Sequence, residues 1–501
     1  MSAALQAQLL AGAPLLLTAA GIVIVMLVIA GTRNHRAVAQ LTTLGFVLSF
    51  AACLLPQPAV VEITPLLVID DYARFVIGLV AAASAATTLL LYGYLAEYEG
   101  FREEMYLLLL IAAFGAMVLA GSRHAATLLV GLETLSVALF GMIAYPLRQP
   151  SAAARSAGAF GEAIGRRPLE AGIKYLVLSA AATATLLFGF ALVYAASGSL
   201  QFGAIGVALA DLADSDRAIA QAGLALVWIG FGFKLSLVPF HLWTADVYEG
   251  APAPVTGFLA TVSKGAVAVV LLRWLDAAAL DQTPLLAQAL AVLAVLSIAV
   301  GNLAALQQNN VKRMLAYSSI AHFGYLLVPF LVGGTTAGEA VLFYVAGYAV
   351  MTLGSFGAVA ALSGTQAHGD ADHLYDYRGL FWRRPLVTSV LVPMLLAQAG
   401  VPLTVGFLAK FYIFAAAVEQ HAWWLALAVV LGSAVGLYYY LRLAIVQFLP
   451  KPGGMRREGV LSEMSVAGGA ALVLLLIALI GAGVWPQPLA AAVTRALASL
   501  G

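Results

Sequence analysis

Long apolar stretches recur along the whole chain and leave little room for anything else. Fourteen can be read in its 501 residues: 13–31, 38–55, 72–95, 105–121, 124–147, 170–196, 218–240, 254–277, 284–306, 313–333, 337–363, 384–418, 422–449 and 465–490. Most approach or exceed the roughly 20 apolar residues that a helix needs to cross a bilayer core at about 1.5 Å per residue. Without water to satisfy the backbone, an open chain can cross only as helices. The expected fold is an all-α membrane protein of about fourteen transmembrane helices, a single polytopic membrane domain over residues 1–501. The longest connections, 149–169, 197–217, 364–383 and 450–464, are too short for a soluble domain.

Composition agrees. Hydrophobic residues make up 62% and charged residues 10%, where a soluble domain has about 25% charged. Too few polar groups exist to cover a soluble surface. The 25 Lys+Arg against 24 Asp+Glu leave no basic excess of the kind nucleic acid requires. The only cysteine, Cys53, can build no disulfide, zinc or iron–sulfur site within the chain, so redox chemistry would belong to a partner. The beginning, MSAALQAQLL, has no basic n-region, so a cleaved signal peptide is not expected.

The basic residues are sorted. Arg33 and Arg36 follow segment 1; Arg148, Arg155, Arg166 and Arg167 follow segment 5; Lys312 and Arg313 follow segment 9. Arg378, Arg383 and Arg384 follow segment 11, and Lys451, Arg456 and Arg457 follow segment 13. If fourteen helices alternate, these connections share one side, which the positive-inside rule makes cytoplasmic, with both termini periplasmic. Glu62, Asp70, Asp71, Asp211, Asp214 and Asp216 fall on the other side. Connection 97–104, with Glu97, Glu99, Glu103 and Glu104, is acidic yet falls on the cytoplasmic side.

Two segments carry helix breakers. Segment 7 contains Leu235-Ser236-Leu237-Val238-Pro239 just after Lys234, and segment 12 contains Ala399-Gly400-Val401-Pro402 before Lys410. Proline removes a backbone bond and clashes with the preceding turn. Broken helices at membrane depth line polar cavities and point to inverted repeats. The breaks lie five helices apart, and an odd number of crossings inverts a second copy. Two inverted five-helix repeats are therefore expected, helices 4–8 (101–280) and 9–13 (281–450). Helices 1–3 (1–100) precede them and helix 14 (451–501) follows.

A charge at the bilayer centre costs about 2.5–3.5 kcal/mol on insertion scales and marks an ion path or a partner. The deep candidates are Glu133, Lys174, Lys234, Lys264, His322 and Lys410. Lys174 is only one turn inside segment 6, where a lysine can snorkel to the headgroups. Lysine can give up its proton when buried, whereas arginine stays charged. Lysines with one glutamate and one histidine suit proton transfer; a sodium or calcium site would need clustered oxygen ligands. His368-Gly369-Asp370-Ala371-Asp372-His373 looks like a metal cluster but lies in a connection, and no metal is assigned to it. His241 and His322 are the only histidines that could pair on a haem, and no nucleotide-binding glycine pattern is present.

The segments GLETLSVALFGM, EAGIKYLVLSAAA, GFGFKLSLVPFHLWTADVYEGAPAPV, VKRMLAYSSIAHFGYLLV, DYRGLFWRRP, GVPLTVGFLAKFYIF, GLYYYLRL and GVWPQPL resemble the antiporter-like subunits of bacterial proton-translocating NADH–quinone oxidoreductase, respiratory complex I. The resemblance runs from the first helix to the last and is most specific over Gly230–Pro254. Length, Lys410 (usually glutamate in the M type) and the YYYLR and WPQPL segments favour the N type. The L type carries a long extra C-terminal part. Subunits of multi-chain sodium–proton antiporters share the core motifs and are the alternative.

The resemblance implies roles. Glu133 would pair with and tune Lys234, the proton carrier of a first half-channel loaded from the cytoplasm. Lys264 and His322 would form a central hydrated connection. Lys410 would be the terminal proton carrier, and Lys174 and His241 auxiliary groups near the first input. The chain itself would hold no cofactor; FMN, iron–sulfur clusters and quinone would belong to partner subunits of a bacterial inner-membrane complex. Its neighbours would be small membrane subunits, antiporter-like subunit M and lipids, with protons and internal water along the path.

Overall fold

The computed structural model describes residues 3–56, 60–96, 98, 100–147, 161–210, 212–278, 284–363, 370–450 and 465–500. Glu97, Glu99, Arg148, Arg155, Asp211, His368, Gly369, Lys451, Arg456 and Arg457 lie outside the described residues.

Among the described residues, twelve helices are long and apolar enough to cross a membrane. They are segments 1 (Ala13–Gly31), 2 (His35–Cys53), 3 (Asp71–Ala96), 5 (Ala125–Ile143), 6 (Arg167–Ser197), 7 (Asp216–Leu235), 8 (Ala253–Ala277), 9 (Ala287–Leu306), 10 (Val311–Val332), 11 (Thr336–Ser363), 13 (Trp423–Val446) and 14 (Val466–Val484). Segment 4, Glu104–Ala120, is 17 residues long and falls just short of that length. Segment 12 is two helices, Pro385–Ala399 and Val405–Glu419. With these two, helices occupy all fourteen segments read from the sequence. Segments 8, 10 and 11 are the most enclosed, and segments 1, 2 and 6 the least.

Both expected breaks exist. The first half of segment 7 ends at Leu235, Ser236 turns into the left-handed region at φ 62°, and the chain resumes helix at Leu242–Gly250. The first half of segment 12 ends at Ala399, where Gly400 takes φ 86°. There the Gly400 N–H reaches back to Leu396 and Ala397 and closes the helix in the manner of a left-handed C-cap. The second half starts on Thr404, whose hydroxyl accepts from the Phe407 N–H at 3.3 Å. It can approach so closely because residue 406 is glycine: a Cβ there would lie 1.9 Å from the Ala397 carbonyl oxygen.

Several features differ from the sequence reading. Segment 8 contains a π-helical turn, Leu259–Ser263, immediately before Lys264. Nothing in its uninterrupted apolar run marks that turn. The connection before segment 3 forms an antiparallel hairpin, β1 (Val60–Thr64) with β2 (Leu67–Asp70). Connection 197–217 holds a short helix, Phe202–Ala210. Segment 14 stops at Val484, and Gln487–Leu497 forms a separate helix.

Both termini lie at the hairpin end. The Gln8 amide donates to the Glu62 carbonyl at 3.0 Å, and the Tyr72 N–H donates to the Ser499 hydroxyl at 3.0 Å. At the other end, Arg33 pairs with Glu104 at 2.8 Å, which places that acid beside an arginine-bearing connection.

One buried ion pair fastens the hairpin to the centre. Arg273, near the end of segment 8, donates from both terminal nitrogens to both oxygens of Asp70 at 2.7 Å. Its Nε donates to the Ala120 carbonyl at 3.1 Å, and the guanidinium lies over the Tyr72 ring. Asp70, expected among the acidic connection residues, is thus buried, and no local signal in the sequence marks Arg273 as its partner. Arg273→Met strands the Asp70 carboxylate, and the expected loss is about 3–5 kcal/mol. It should appear as a lower thermal midpoint of the purified protein, with most of the loss recovered in Asp70→Asn/Arg273→Met.

Candidate functional site

Lys234 sits in the last turn of the first half of segment 7. That position suits a cation, because the unpaired carbonyls at a helix C-terminus carry partial negative charge. Its ammonium donates to the hydroxyls of Ser136 and Ser179, each at 2.8 Å. Glu133 lies one turn before Ser136 on segment 5, near enough for its charge to act on the ammonium. The two do not form a contact pair: Oε1 of Glu133 is buried without a hydrogen-bond partner among the described residues. Segment 5 thus presents to Lys234 the Ser136 hydroxyl rather than the carboxylate.

Lys264 follows the π-turn and is 1% exposed. Its ammonium donates to Ser319 at 3.0 Å and lies 5.2–5.8 Å from the ring centroids of Trp243, Tyr248 and Phe323. Aromatic faces attract a cation at such distances. Trp243 also stacks on Phe233 and packs on Tyr175, whose chain neighbours around Ser179 line the Lys234 site. The Tyr348 hydroxyl donates to Ser319 at 2.8 Å, and the Tyr248 hydroxyl lies 3.4 Å from it.

His322 is buried on the face of segment 10 that also carries Ser318 and Ser319. Its Nδ1 is 2.6 Å from the Tyr344 hydroxyl and its Nε2 is 3.0 Å from that of Tyr440. Tyr440 in turn bonds Ser318. Both ring nitrogens are therefore engaged by phenols. The His322 ring also packs on Tyr348 and Tyr325.

Tyr325 leads to Lys410, whose ammonium lies 5.3 Å from its ring centroid. Lys410 donates to the Gln398 and Ala399 carbonyls at 2.8 and 3.1 Å and to the Ser433 hydroxyl at 3.0 Å. Asn302 holds Tyr325 in place, donating to its hydroxyl at 2.9 Å and accepting from Tyr439 at 3.1 Å. Lys234, Lys264, His322 and Lys410 thus form one buried row connected by hydroxyls and aromatic rings.

Lys174 and His241 stand apart from the row. Lys174 pairs with Glu170 and Asp246, each at 2.8 Å, in an ionic cluster at the end of the bundle that carries Arg33. Arg313 bonds Asp246 and Glu249 there, both at 2.8 Å. His241 lies in the break of segment 7, its Nδ1 buried without a hydrogen-bond partner among the described residues. Lys312 differs from its sequence reading as a loop charge. It is 1% exposed, pairs with Asp370 at 2.5 Å and donates to the Ala251 carbonyl at 2.6 Å. Asp372 accepts from Asn310 at 2.9 Å. Both acids of the apparent metal motif are thus engaged in other contacts. Among the described residues no group of three or more His, Cys, Asp or Glu could hold a metal ion.

Ser136, Ser179, Ser433, Asn302, Gln398 and the tyrosines around His322 escaped the sequence reading. One signal was available: Tyr344 and Tyr348 are four apart, so both face the same side of segment 11.

A profile of the family described as NADH:quinone oxidoreductase/Mrp antiporter, TM, matches residues 122–436. A NADH-quinone oxidoreductase subunit N from Ectopseudomonas mendocina (strain ymp) is 48% identical over 96% of this chain and 95% of its own. A chain of respiratory complex I from Thermus thermophilus with bound Aureothin superposes with a TM-score of 0.78 at 32% identity, covering 96% of this chain and 99% of that one. A chain of the Mrp complex from Dietzia sp. DQ12-45-1b superposes with a TM-score of 0.81 at 17% identity, covering 98% and 97%, which shows a shared fold.

Tyr440→Phe leaves Nε2 of His322 without its phenol. The expected cost is about 1–3 kcal/mol for an unsatisfied buried group, measured as a lower thermal midpoint. The same change at the exposed Tyr438 should leave the midpoint within about 0.5 kcal/mol of the parent.

Proposed function

Because this chain belongs to the NADH:quinone oxidoreductase/Mrp antiporter transmembrane family, we propose that it is an N-type antiporter-like membrane subunit of NADH–quinone oxidoreductase. In that role it moves protons across a bacterial inner membrane while partner subunits oxidise NADH and reduce quinone. FMN, iron–sulfur clusters and quinone belong to those partners, which include small membrane subunits and antiporter-like subunit M. The arginine-bearing end faces the cytoplasm and both termini the periplasm, in keeping with the positive-inside rule.

The observation that carries the proton reading is the row itself. Among the described residues, none of Lys234, Lys264 and Lys410 has a carboxylate within ion-pair distance, and each ammonium bonds neutral hydroxyl or carbonyl oxygens. A lysine held by neutral groups can lose its proton without stranding an anion. Lys234 takes a proton from the cytoplasmic side, steadied by the nearby negative charge of Glu133. Withdrawal of that charge releases the proton toward Lys264 and His322, through water where side chains do not touch, and Lys410 passes it on. Lys174 and His241 serve the input side.

The alternative is a subunit of a multi-chain sodium–proton antiporter, which the Dietzia likeness supports at the level of fold. Copurification separates the two: a stable complex with flavin and iron–sulfur subunits supports the oxidoreductase reading, and their absence the antiporter. In the assembled complex in vesicles, Lys234→Met, Lys264→Met and Lys410→Met should each lower proton pumping by about tenfold or more without lowering the amount of complex. Glu133→Gln should do the same. Normal pumping by Lys234→Met and Glu133→Gln would sink the scheme.

A further inference from the structure

Lys410 has an unusual host. The carbonyls of Gln398 and Ala399 belong to the last turn of the first half of segment 12, where a helix leaves its carbonyls without backbone donors. The Gly400 and Val401 N–H groups close back onto Leu396 and Ala397 only. The next two carbonyls have no backbone donor and take the lysine, that of Ala399 sharing it with the Ser433 hydroxyl. The counter-charge of the Lys410 ammonium is therefore the end of a half-helix, and it works only while that end is held in place.

Gln398 is the residue that holds it. It is 1% exposed, a neutral amide placed deep in the bundle. Its side-chain nitrogen donates to the Ser355 hydroxyl at 2.8 Å and to the Met351 carbonyl at 3.1 Å, both on segment 11. Ser355 is itself fixed, donating to the same Met351 carbonyl at 2.9 Å. One residue thus ties to segment 11 through its side chain and to Lys410 through its backbone oxygen. Burying a carboxamide is costly unless its donors are used, and here both are spent on anchoring the turn that receives the lysine.

We propose that Gln398 is a positioning residue for proton transfer at Lys410: its carboxamide pins the broken end of segment 12 to Ser355 and Met351 so that two backbone carbonyls stay aimed at the ammonium. This rests on the reading of Lys410 as a proton carrier. It also gives segment 11 a second role, since the same helix supplies Tyr344 and Tyr348 to the surroundings of His322. A shift of segment 11 would thereby move the phenols at the centre of the row and the carbonyls at its end together.

The test uses the assembled complex in vesicles and reads protons pumped per NADH oxidised, a ratio that a mere loss of folded complex does not change. Gln398→Leu should lower the ratio by about three- to tenfold, the effect of losing one or two hydrogen bonds. Ser355→Ala should lower it less, and the double variant should be no worse than Gln398→Leu alone, because both cut the same tie. A normal ratio in Gln398→Leu with a lowered one in Lys410→Met would overturn the positioning role and leave Lys410 as carrier. Normal ratios in both would overturn the reading of Lys410 and the proposal with it. If Gln398→Leu does not assemble, Ser355→Ala decides: a lowered ratio supports the tie, and an unchanged one overturns it.

Discussion

Everything in the middle of this protein depends on one kind of contact repeated at three lysines, an ammonium on a serine hydroxyl. Lys234 bonds Ser136 and Ser179, Lys264 bonds Ser319, and Lys410 bonds Ser433. A serine oxygen accepts from an ammonium and, after a turn of its O–H, donates to a neutral amine. At Lys410 the exchange is complete: Ser433 also donates to the Ala399 carbonyl at 3.2 Å. When it turns toward a neutral amine, an amine N–H can still serve that carbonyl. A carboxylate could not make this exchange, because loss of the lysine proton would leave it buried and unpaired.

The ends of the bundle follow the opposite rule. Lys312 and Arg313 fall in the first turn of segment 10, where the helix dipole disfavours cations. The compensation comes from Asp370 and from Asp246 and Glu249 on the second half of segment 7. At the hairpin end, Asp70 and Arg273 close a buried bidentate pair. Opposite charges are matched at both ends and lysines sit among neutral oxygens between them. The fixed pairs hold the frame, and in the proposed function the neutral middle would let a proton change place without breaking it.

Much of this was legible in the sequence because hydrophobicity and proline are local signals. The fourteen crossings, both breaks and the depth of Lys234, Lys264, His322 and Lys410 all came from runs of apolar residues and from Pro239 and Pro402. The π-turn before Lys264 did not, since a one-residue widening of a helix leaves the apolar run intact. The burial of Lys312 was hidden because its partner Asp370 is 58 residues away. Glu104 looked out of place in the sequence because its partner Arg33 is 71 residues away. Serine partners are the hardest to foresee: a hydroxyl in an apolar helix usually bonds its own preceding turn, as Ser136 also does to Leu132.

In the proposed proton path, Glu133 is what sets Lys234 apart from the other lysines of the row. Among the described residues, of the three lysines in the row only Lys234 feels a nearby carboxylate, and Oε1 of that carboxylate is buried without a donor. A buried carboxylate oxygen is stabilised by a hydrogen-bond donor. Moving it onto Lys234 would satisfy the oxygen and free Ser136 to bond its own helix alone. The two arrangements differ by one contact at one end of the row, while among the described residues Lys264 and Lys410 have no acid within ion-pair distance. In the proposed path, a change in field reaching segment 5 would act on Lys234 through Glu133. The remaining lysines, each bonded to a hydroxyl that can reverse, would follow.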